Sequence, residues 1–98
     1  MFKRILTICV GNICRSPTAE YLLRDQLAHR GIEVGSAGLG ALQGRAMDAT
    51  AASLLDEHGL DASAHRARQV TPALLREVDL ILAMEKKHLA ALTRLAPE

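Results

Sequence analysis

The sequence predicts an α/β fold in which helices cover both faces of a central parallel sheet. Three apolar segments, at residues 4–9, 32–34 and 78–84, have the length and composition of buried strands. Segments with helical spacing of apolar residues alternate with them, in the order β-α-β-α-α-β-α. Because strand–helix–strand connections of this kind cross over with one hand, the strands are expected to be parallel.

The first half of the chain has clear signals for where its elements begin and end. A buried strand from Arg4 to Cys9 is rich in Ile, Leu and Thr. Ser16 followed by Pro17 predicts a helix start, with serine as the N-cap and proline at the first helical position. Gly31 ends this helix. Four apolar residues at helical spacing are expected to face the core: Ala19, Leu22, Leu23 and Leu27.

The remaining elements follow the same logic. The second strand is predicted to begin at 32–34, and Gly35 to Gly44 is predicted to be a loop. Four glycines in these ten residues exceed what one turn needs, so this loop is expected to wrap closely around another segment. Further helices are predicted at 48–58, from Thr71-Pro72 onward, and at 85–95. For the helix at 48–58, the residues expected to face inward are Met47, which directly precedes it, and Ala51, Leu54 and Leu55. For the helix at 85–95, the expected apolar stripe is Leu89, Leu92 and Leu95. The third strand, 78–84, is expected to be buried on both faces.

The residues after the first strand have the pattern of an anion-binding loop. Cys9 ends the strand, and Arg15 follows with the spacing C-x5-R where a helix begins. A helix N-terminus carries unpaired N–H groups and partial positive charge, which suit phosphate. Such surroundings favour a cysteine thiolate, and the arginine fork matches the oxygens of a phosphoryl group. The spacing therefore indicates a cysteine-dependent phosphatase, whereas the alternative is a cysteine that merely packs in the core.

This segment resembles the low-molecular-weight protein tyrosine phosphatases of the bacterial type, which carry C-x4-C-R-S-P after their first strand. Three further segments are similar to those of the family, in the same order along the chain: 33–39, 61–68 and 79–84. The resemblance implies a three-layer α/β/α fold of the phosphotyrosine phosphatase I type. Residues 1–98 would form a single domain of this kind.

The resemblance also implies roles for individual residues. Cys9 would be the nucleophile that forms a cysteinyl-phosphate, Arg15 would bind the phosphoryl oxygens, and Ser16 would help the thiolate leave. The loop residues expected to bind phosphate are Val10, Gly11, Asn12, Ile13 and Cys14. Asn12 is expected to have a left-handed backbone conformation. By the resemblance, hydrogen bonds from Ser36 and His65 would hold it in place.

Ile13 and Leu39 are the expected walls of the substrate pocket. A branched apolar residue at the position of Ile13 resembles the tyrosine-specific members, whereas the arginine-phosphate phosphatases carry threonine there. Leu39 and its glycine-rich loop resemble members that act on tyrosine kinases of capsule and exopolysaccharide export. The expected partner is therefore a phosphotyrosine protein, with a bacterial tyrosine kinase of polysaccharide export as the candidate class.

The chain departs from the family towards its C-terminal end. The family supplies the general acid from an Asp-Pro loop beyond a fourth strand, but this sequence has no Asp-Pro dipeptide and its last aspartate is Asp79. The last strand and helix of the family are expected to be absent, so the chain is interpreted as C-terminally truncated, with weakened activity. The alternatives are a noncatalytic phosphate- or oxyanion-binding form and an arsenate reductase relative, which would need two further cysteines. The open edge of the third strand predicts a homo-oligomer.

Composition narrows the remaining possibilities. With 12 basic and 11 acidic residues interspersed, neither nucleic-acid binding nor membrane binding is expected. Two cysteines five positions apart do not make a zinc site, so neither a metal nor a cofactor is implied. The first apolar run is too short for a signal peptide, which favours a cytoplasmic location.

Two smaller groups of residues are left without a clear role. A small basic cluster indicates either a local feature of an anion site or solvated surface: Arg45, Arg66 and Arg68. His29, His58 and His88 are expected on helix surfaces.

Overall fold

The elements follow one another in the predicted order. The computed structural model describes residues 3–95, apart from the side chains of residues 86, 89, 90 and 95. The strands are β1 (Arg4–Cys9), β2 (Glu33–Gly38) and β3 (Leu80–Ala83). The helices are α1 (Arg15–Leu27), α2 (Ala49–Glu57), α3 (Pro72–Arg76) and α4 (Lys86–Leu95), and a 3₁₀ turn, Ala28–Arg30, follows α1. Within the described residues, no helix has the length and hydropathy that would cross a membrane.

β1 is the central strand of a parallel sheet with the order β2-β1-β3. Successive side chains of a strand point to opposite faces. On one face, Leu6 and Ile8 pack in a cluster with residues of α3 and α4. On the other, Thr7 Oγ1 donates a hydrogen bond of 2.7 Å to Ser16 O in α1. Helices therefore cover both faces of the sheet, as the sequence predicts.

The core is aliphatic and consists of two clusters. The main cluster lies on the sheet and contains Leu6, Ile8, Ala37, Val70, Leu75 and Leu92. The second cluster joins α2 to Tyr21 of α1 and contains Met47, Ala51, Leu55 and Ala62. Of the apolar stripe predicted for α4, Leu92 is buried, whereas the side chains of Leu89 and Leu95 lie outside the described part.

Side-chain caps define the starts of α2 and α3. Asp48 is the N-cap of α2, where its carboxylate accepts the N–H of Ala51. Thr71 caps α3 in the same way by accepting the N–H of Leu74. These two helix starts confirm the predictions made from the residues.

The start of α1 differs from the prediction. Ser16 is not the N-cap: the helix begins at Arg15, with Cys14 at the cap position and no side-chain cap hydrogen bond. Pro17 is consequently the third helical residue, not the first. The physical reason is that the Ser16 hydroxyl is engaged by Cys9 and Asn12, so it is not available to cap the helix.

Strand limits and strand burial also differ from the prediction. β2 continues through Gly35 to Gly38, so the predicted loop begins only at Leu39. This extension follows from the pairing of β2 with β1 up to Cys9. β3 is shorter than 78–84 and only half-buried, not buried on both faces, because in the described part of the chain it lies at the edge of the sheet.

Three side chains differ from the prediction in whether they are buried or exposed. Leu22 and Leu54 are 44% and 55% exposed, although helical spacing placed both inward. The buried residues of α1 are Ser16, Pro17 and Glu20, so this helix turns a partly polar face to the sheet. His88 is buried, and neither ring nitrogen has a hydrogen-bond partner among the described residues. His29 and His58 are exposed, as expected.

Candidate active site

The carbonyl groups of the loop between β1 and α1 point outward. All six carbonyls from Cys9 to Cys14 accept hydrogen bonds of 2.7 to 3.0 Å from outside the loop. In loop order, the donors are the backbone N–H groups of Leu39, Gly40 and Leu42, the ring Nε2 of His65, and the backbone N–H groups of Asp48 and Thr18. Because the C=O and N–H of a trans peptide point in opposite directions, the loop turns its N–H groups towards its centre. Such a ring of amides is an anion-binding concavity.

The glycine-rich segment predicted to wrap around another part of the chain wraps around this loop. Residues 39–42 supply three of the six donors. Gly38 makes the close approach possible, because a Cβ at this position would lie 2.3 Å from Val10 O. Any side chain at Gly38 would therefore displace the loop backbone.

The thiol of Cys9 lies beside the amides of this loop. Cys9 is buried at the end of β1. Its Sγ lies 2.9 Å from Ser16 Oγ and accepts the backbone N–H of Asn12 at 3.3 Å. These two contacts fix the position of the sulfur, and a thiol held in this way is a candidate nucleophile.

Asn12 links the loop to the rest of the fold. Its φ of 59° is the left-handed conformation that the sequence predicts. The side chain is completely buried, and Nδ2 donates to Ser16 Oγ and Ser36 Oγ, each at 2.9 Å. Oδ1 accepts the backbone N–H of Arg68 at 2.9 Å, while Asn12 O accepts from His65 Nε2 at 2.8 Å. The structure thus brings Ser36 and His65 to Asn12.

Glu20 belongs to the same network, although the sequence reasoning missed it. Its Oε1 accepts the Ser36 hydroxyl at 2.5 Å and lies 3.9 Å from His65 Nδ1. Its Oε2 pairs with Arg24, whose guanidinium lies 4.6 Å from the centre of the Tyr21 ring. A buried carboxylate needs such partners. The available signal was spacing: Glu20 follows Ser16 by one helical turn and shares its face.

Arg15 forms an ion pair at the edge of the site. Its Nη1 pairs with Glu85 Oε1 at 2.9 Å, and its side chain is half exposed. In the described part of the chain, no hydrogen bond joins its guanidinium to Cys9. The cause is the carboxylate of Glu85, which follows β3 at the edge of the site. The hydrogen bond from Arg15 holds the pKa of Glu85 below its ordinary value.

The predicted pocket walls have different surroundings. Ile13 is half-buried, whereas Leu39 packs against the main core cluster and so contributes to folding as well. Leu42, which the sequence reasoning did not single out, lies next to Gly11 on the same side as Ile13. Val10 and Leu42 are exposed apolar side chains beside the loop. Ile13, Val10 and Leu42 therefore form an apolar rim.

Metal ligation has no support in the part of the chain that the structure describes. There, no three side chains of the His, Cys, Asp or Glu type are grouped as ligands would be. Both cysteines are free, Cys9 buried and Cys14 exposed. The chemistry that this arrangement can perform is anion binding beside a cysteine nucleophile.

Comparisons with known proteins agree with this geometry. The sequence profile described as low molecular weight phosphotyrosine protein phosphatase matches residues 4–98. The protein-tyrosine-phosphatase Wzb of Salmonella typhi is 55% identical over 98 residues, which are all of this chain and 64% of that protein. The chain thus spans less than two thirds of the length of this relative.

Solved structures of tyrosine phosphatases share the fold of this chain. The crystal structure of the tyrosine phosphatase AmsI of Erwinia amylovora has a TM-score of 0.93 at 45% identity, covering all of this chain and 64% of AmsI. Wzb of Escherichia coli K30, in complex with sulphate, has a TM-score of 0.93 at 46% identity, covering all of this chain and 67% of that one. The chain belongs to the low molecular weight phosphotyrosine protein phosphatase family.

Proposed function

We propose that this protein hydrolyses phosphotyrosine in proteins through a cysteinyl-phosphate intermediate on Cys9. The observation that carries the proposal is the loop beside Cys9, whose six carbonyls accept hydrogen bonds from outside it and so leave its N–H groups turned inward. Donors fixed in advance stabilise the charge of a transferring phosphoryl group without reorganisation during the reaction. The proposal concerns the activity of the whole protein, because this chain covers only 64% of the length of the Salmonella typhi relative.

In the first step, the Cys9 thiolate attacks phosphorus in line with the bond to the phenolic oxygen. The sulfur–phosphorus bond forms, the phosphorus–oxygen bond breaks, and the phenolate leaves with a proton from a general acid. Arg15 binds two of the equatorial oxygens. Its contact with Glu85 uses Nη1, which leaves Nε and Nη2 as a donor pair.

In the second step, water attacks phosphorus and gives a proton to the general acid of the first step, which is now deprotonated. The sulfur–phosphorus bond breaks, which releases inorganic phosphate and the Cys9 thiolate. Ser16 stabilises the departing sulfur, because its hydroxyl lies 2.9 Å from Cys9 Sγ. Asn12 keeps the Ser16 hydroxyl in position through Nδ2. A substitution of Ser16 by alanine should therefore slow the second step and allow the intermediate to accumulate.

The substrate class follows from the rim of the site. Val10, Ile13 and Leu42 offer apolar contacts for a phenyl ring above the phosphate loop. The names of the relatives, which are protein-tyrosine-phosphatases, support the same substrate. A bacterial tyrosine kinase of polysaccharide export is the proposed partner, and a cytoplasmic location stays a prediction from the sequence.

The test is hydrolysis of p-nitrophenyl phosphate, whose leaving group needs little protonation. Cys9→Ser should lower the rate at least about 10³-fold, as loss of a nucleophile does. Cys14→Ser, the matched control, should keep most of the activity because its exposed thiol has no role in the steps above. Acid quenching followed by mass spectrometry should locate the phosphoryl group on Cys9.

Two results would contradict the proposal. One is a Cys9→Ser variant that remains active, and the other is phosphate trapped on a different residue. Binding of phosphate with no turnover would instead support the noncatalytic oxyanion-binding form. Phosphotyrosine peptides assayed alongside p-nitrophenyl phosphate would show how far the reaction depends on the general acid.

A further inference from the structure

We propose that the chain has a second oxyanion site, at the outer edge of β2 and separate from the phosphate loop. The site is a polar recess of about 340 Å³ between α1, β2 and the segment 64–68. This volume lies in the range of small-ligand sites, about 300–1,000 Å³. We call it the edge recess and define it by Arg24, Val34, Ser36, His65, Arg66 and Arg68.

The charge of the edge recess favours an anion. Three guanidinium groups face one carboxylate, Glu20, which leaves two net positive charges when His65 is counted as neutral. Both oxygens of Glu20 are already engaged, one by Ser36 and the other by Arg24. Positive charge beyond what Glu20 neutralises is therefore available to a ligand, and arginine is the residue best suited to phosphate and sulfate oxygens.

The arginines are held in place, and Arg66 keeps spare donors. Arg66 uses Nη1 to bind Ser63 O at 3.0 Å and His65 O at 2.6 Å. Arg68 uses Nε to bind Ser36 O at 2.8 Å. Among the described residues, this leaves Nε and Nη2 of Arg66 without a hydrogen-bond acceptor, whereas Arg68 Nη2 lies against Gly35 on the face of the sheet that carries Leu6. Groups that are already oriented lose little entropy when they bind a ligand.

The backbone of β2 completes the wall. Glu33 donates its N–H towards β1, to Lys3 O, so the alternate residues Val34 and Ser36 turn their N–H and C=O groups outward. Their carbonyls accept from Arg24 at 3.1 Å and from Arg68 at 2.8 Å. The position of the Arg68 side chain requires glycine at residue 35, because a Cβ there would lie 2.7 Å from Arg68 Nη2.

This arrangement favours a small ligand over another strand. The arginines occupy the edge carbonyls that an added strand would need for pairing. The N–H groups of Val34 and Ser36 lie along the same edge as the guanidinium groups. A tetrahedral oxyanion, of the phosphate or sulfate class, is the occupant that matches these donors.

The edge recess also explains part of the basic cluster seen in the sequence. Arg66 and Arg68 line it, whereas Arg45 does not. Ser36 belongs both to the recess and to the support of the phosphate loop, because its hydroxyl accepts from Asn12 Nδ2. The two anion sites are therefore neighbours joined through one side chain.

The test is a titration of the ¹⁵N-labelled chain with inorganic sulfate, followed by NMR. We expect two saturable sets of shifts, one at amides 10–14 and one at amides 34–36 and 64–68 together with the arginine side-chain N–H groups. Arg66→Gln should weaken sulfate binding to the second set about tenfold, the effect of one lost charge-assisted hydrogen bond, and leave the first set unchanged. Arg45→Gln, a matched loss of charge outside the recess, should leave both sets unchanged.

Two results would overturn the proposal. The first is a titration confined to the loop amides, with no saturable shifts at the edge recess. The second is equal weakening by Arg66→Gln and Arg45→Gln, which would indicate attraction by general surface charge only. Saturation at the recess without any at residues 10–14 would instead support the edge recess and count against the proposed function.

Discussion

Replacement of Asn12 by alanine and by glycine separates two contributions to the stability of the loop between β1 and α1. Both substitutions remove the side-chain hydrogen bonds to Ser16, Ser36 and the N–H of Arg68. Alanine, unlike asparagine and glycine, rarely adopts the left-handed conformation that this position requires, with a φ of 59°. The stability lost in the glycine variant therefore measures the contribution of the hydrogen bonds. The difference in stability between the two variants measures the cost of the backbone conformation.

The magnitudes follow from these contacts. Each of the three hydrogen bonds contributes about 1 kcal/mol, so Asn12→Gly should lower the free energy of unfolding by about 3 kcal/mol. The left-handed conformation costs alanine about 1 kcal/mol more than it costs asparagine or glycine, which gives about 4 kcal/mol for Asn12→Ala. Both are large fractions of the stability of a small domain.

The assay is urea denaturation of the chain and its two variants, combined with the sulfate titration at amides 10–14. We expect both variants to lose sulfate affinity at the loop, because Asn12 no longer holds Ser16 and the loop backbone together. A glycine variant as stable as the original chain would refute the hydrogen-bond argument. Equal stability of the two variants would refute the argument from φ.

Two further predictions concern Gly38 and Asp79. Gly38→Ala should weaken anion binding at the loop, because its Cβ would lie 2.3 Å from Val10 O. In the control Gly40→Ala, the Cβ meets only a side-chain atom at 3.7 Å, so this variant should bind the anion normally. Equal binding by both variants would contradict the steric argument. The N–H groups of Lys3 and Arg4 lower the pKa of the Asp79 carboxyl, so its contribution to stability is present above its ordinary pKa and is lost as pH falls. Asp79→Asn should therefore destabilise the chain at pH 7, and the difference should shrink below about pH 4; a difference independent of pH, in urea denaturation from pH 7 to 3, would be the contrary result.

The sequence by itself determined the parallel α/β order, the position of the loop between β1 and α1 and the conformation of Asn12. These features depend on residues close together in the chain. The spacing from Cys9 to Arg15 places the thiol and the helix start next to each other in any fold that keeps β1 and α1. Asparagine also tolerates the left-handed region better than most residues, whatever surrounds it.

Only the tertiary structure decided how the loop is supported and where its charged side chains point. Asn12 is held by His65 and by the N–H of Arg68, which are 53 and 56 positions away. The burial of Glu20, the pairing of Arg15 with Glu85 and the use of the Ser16 hydroxyl at Cys9 depend equally on neighbours. Helical spacing assigned Leu22 to the core, but α1 packs with Ser16 and Glu20 inward instead, because its polar face supports the loop. Local patterns carry no information about partners that folding brings together from distant parts of the chain.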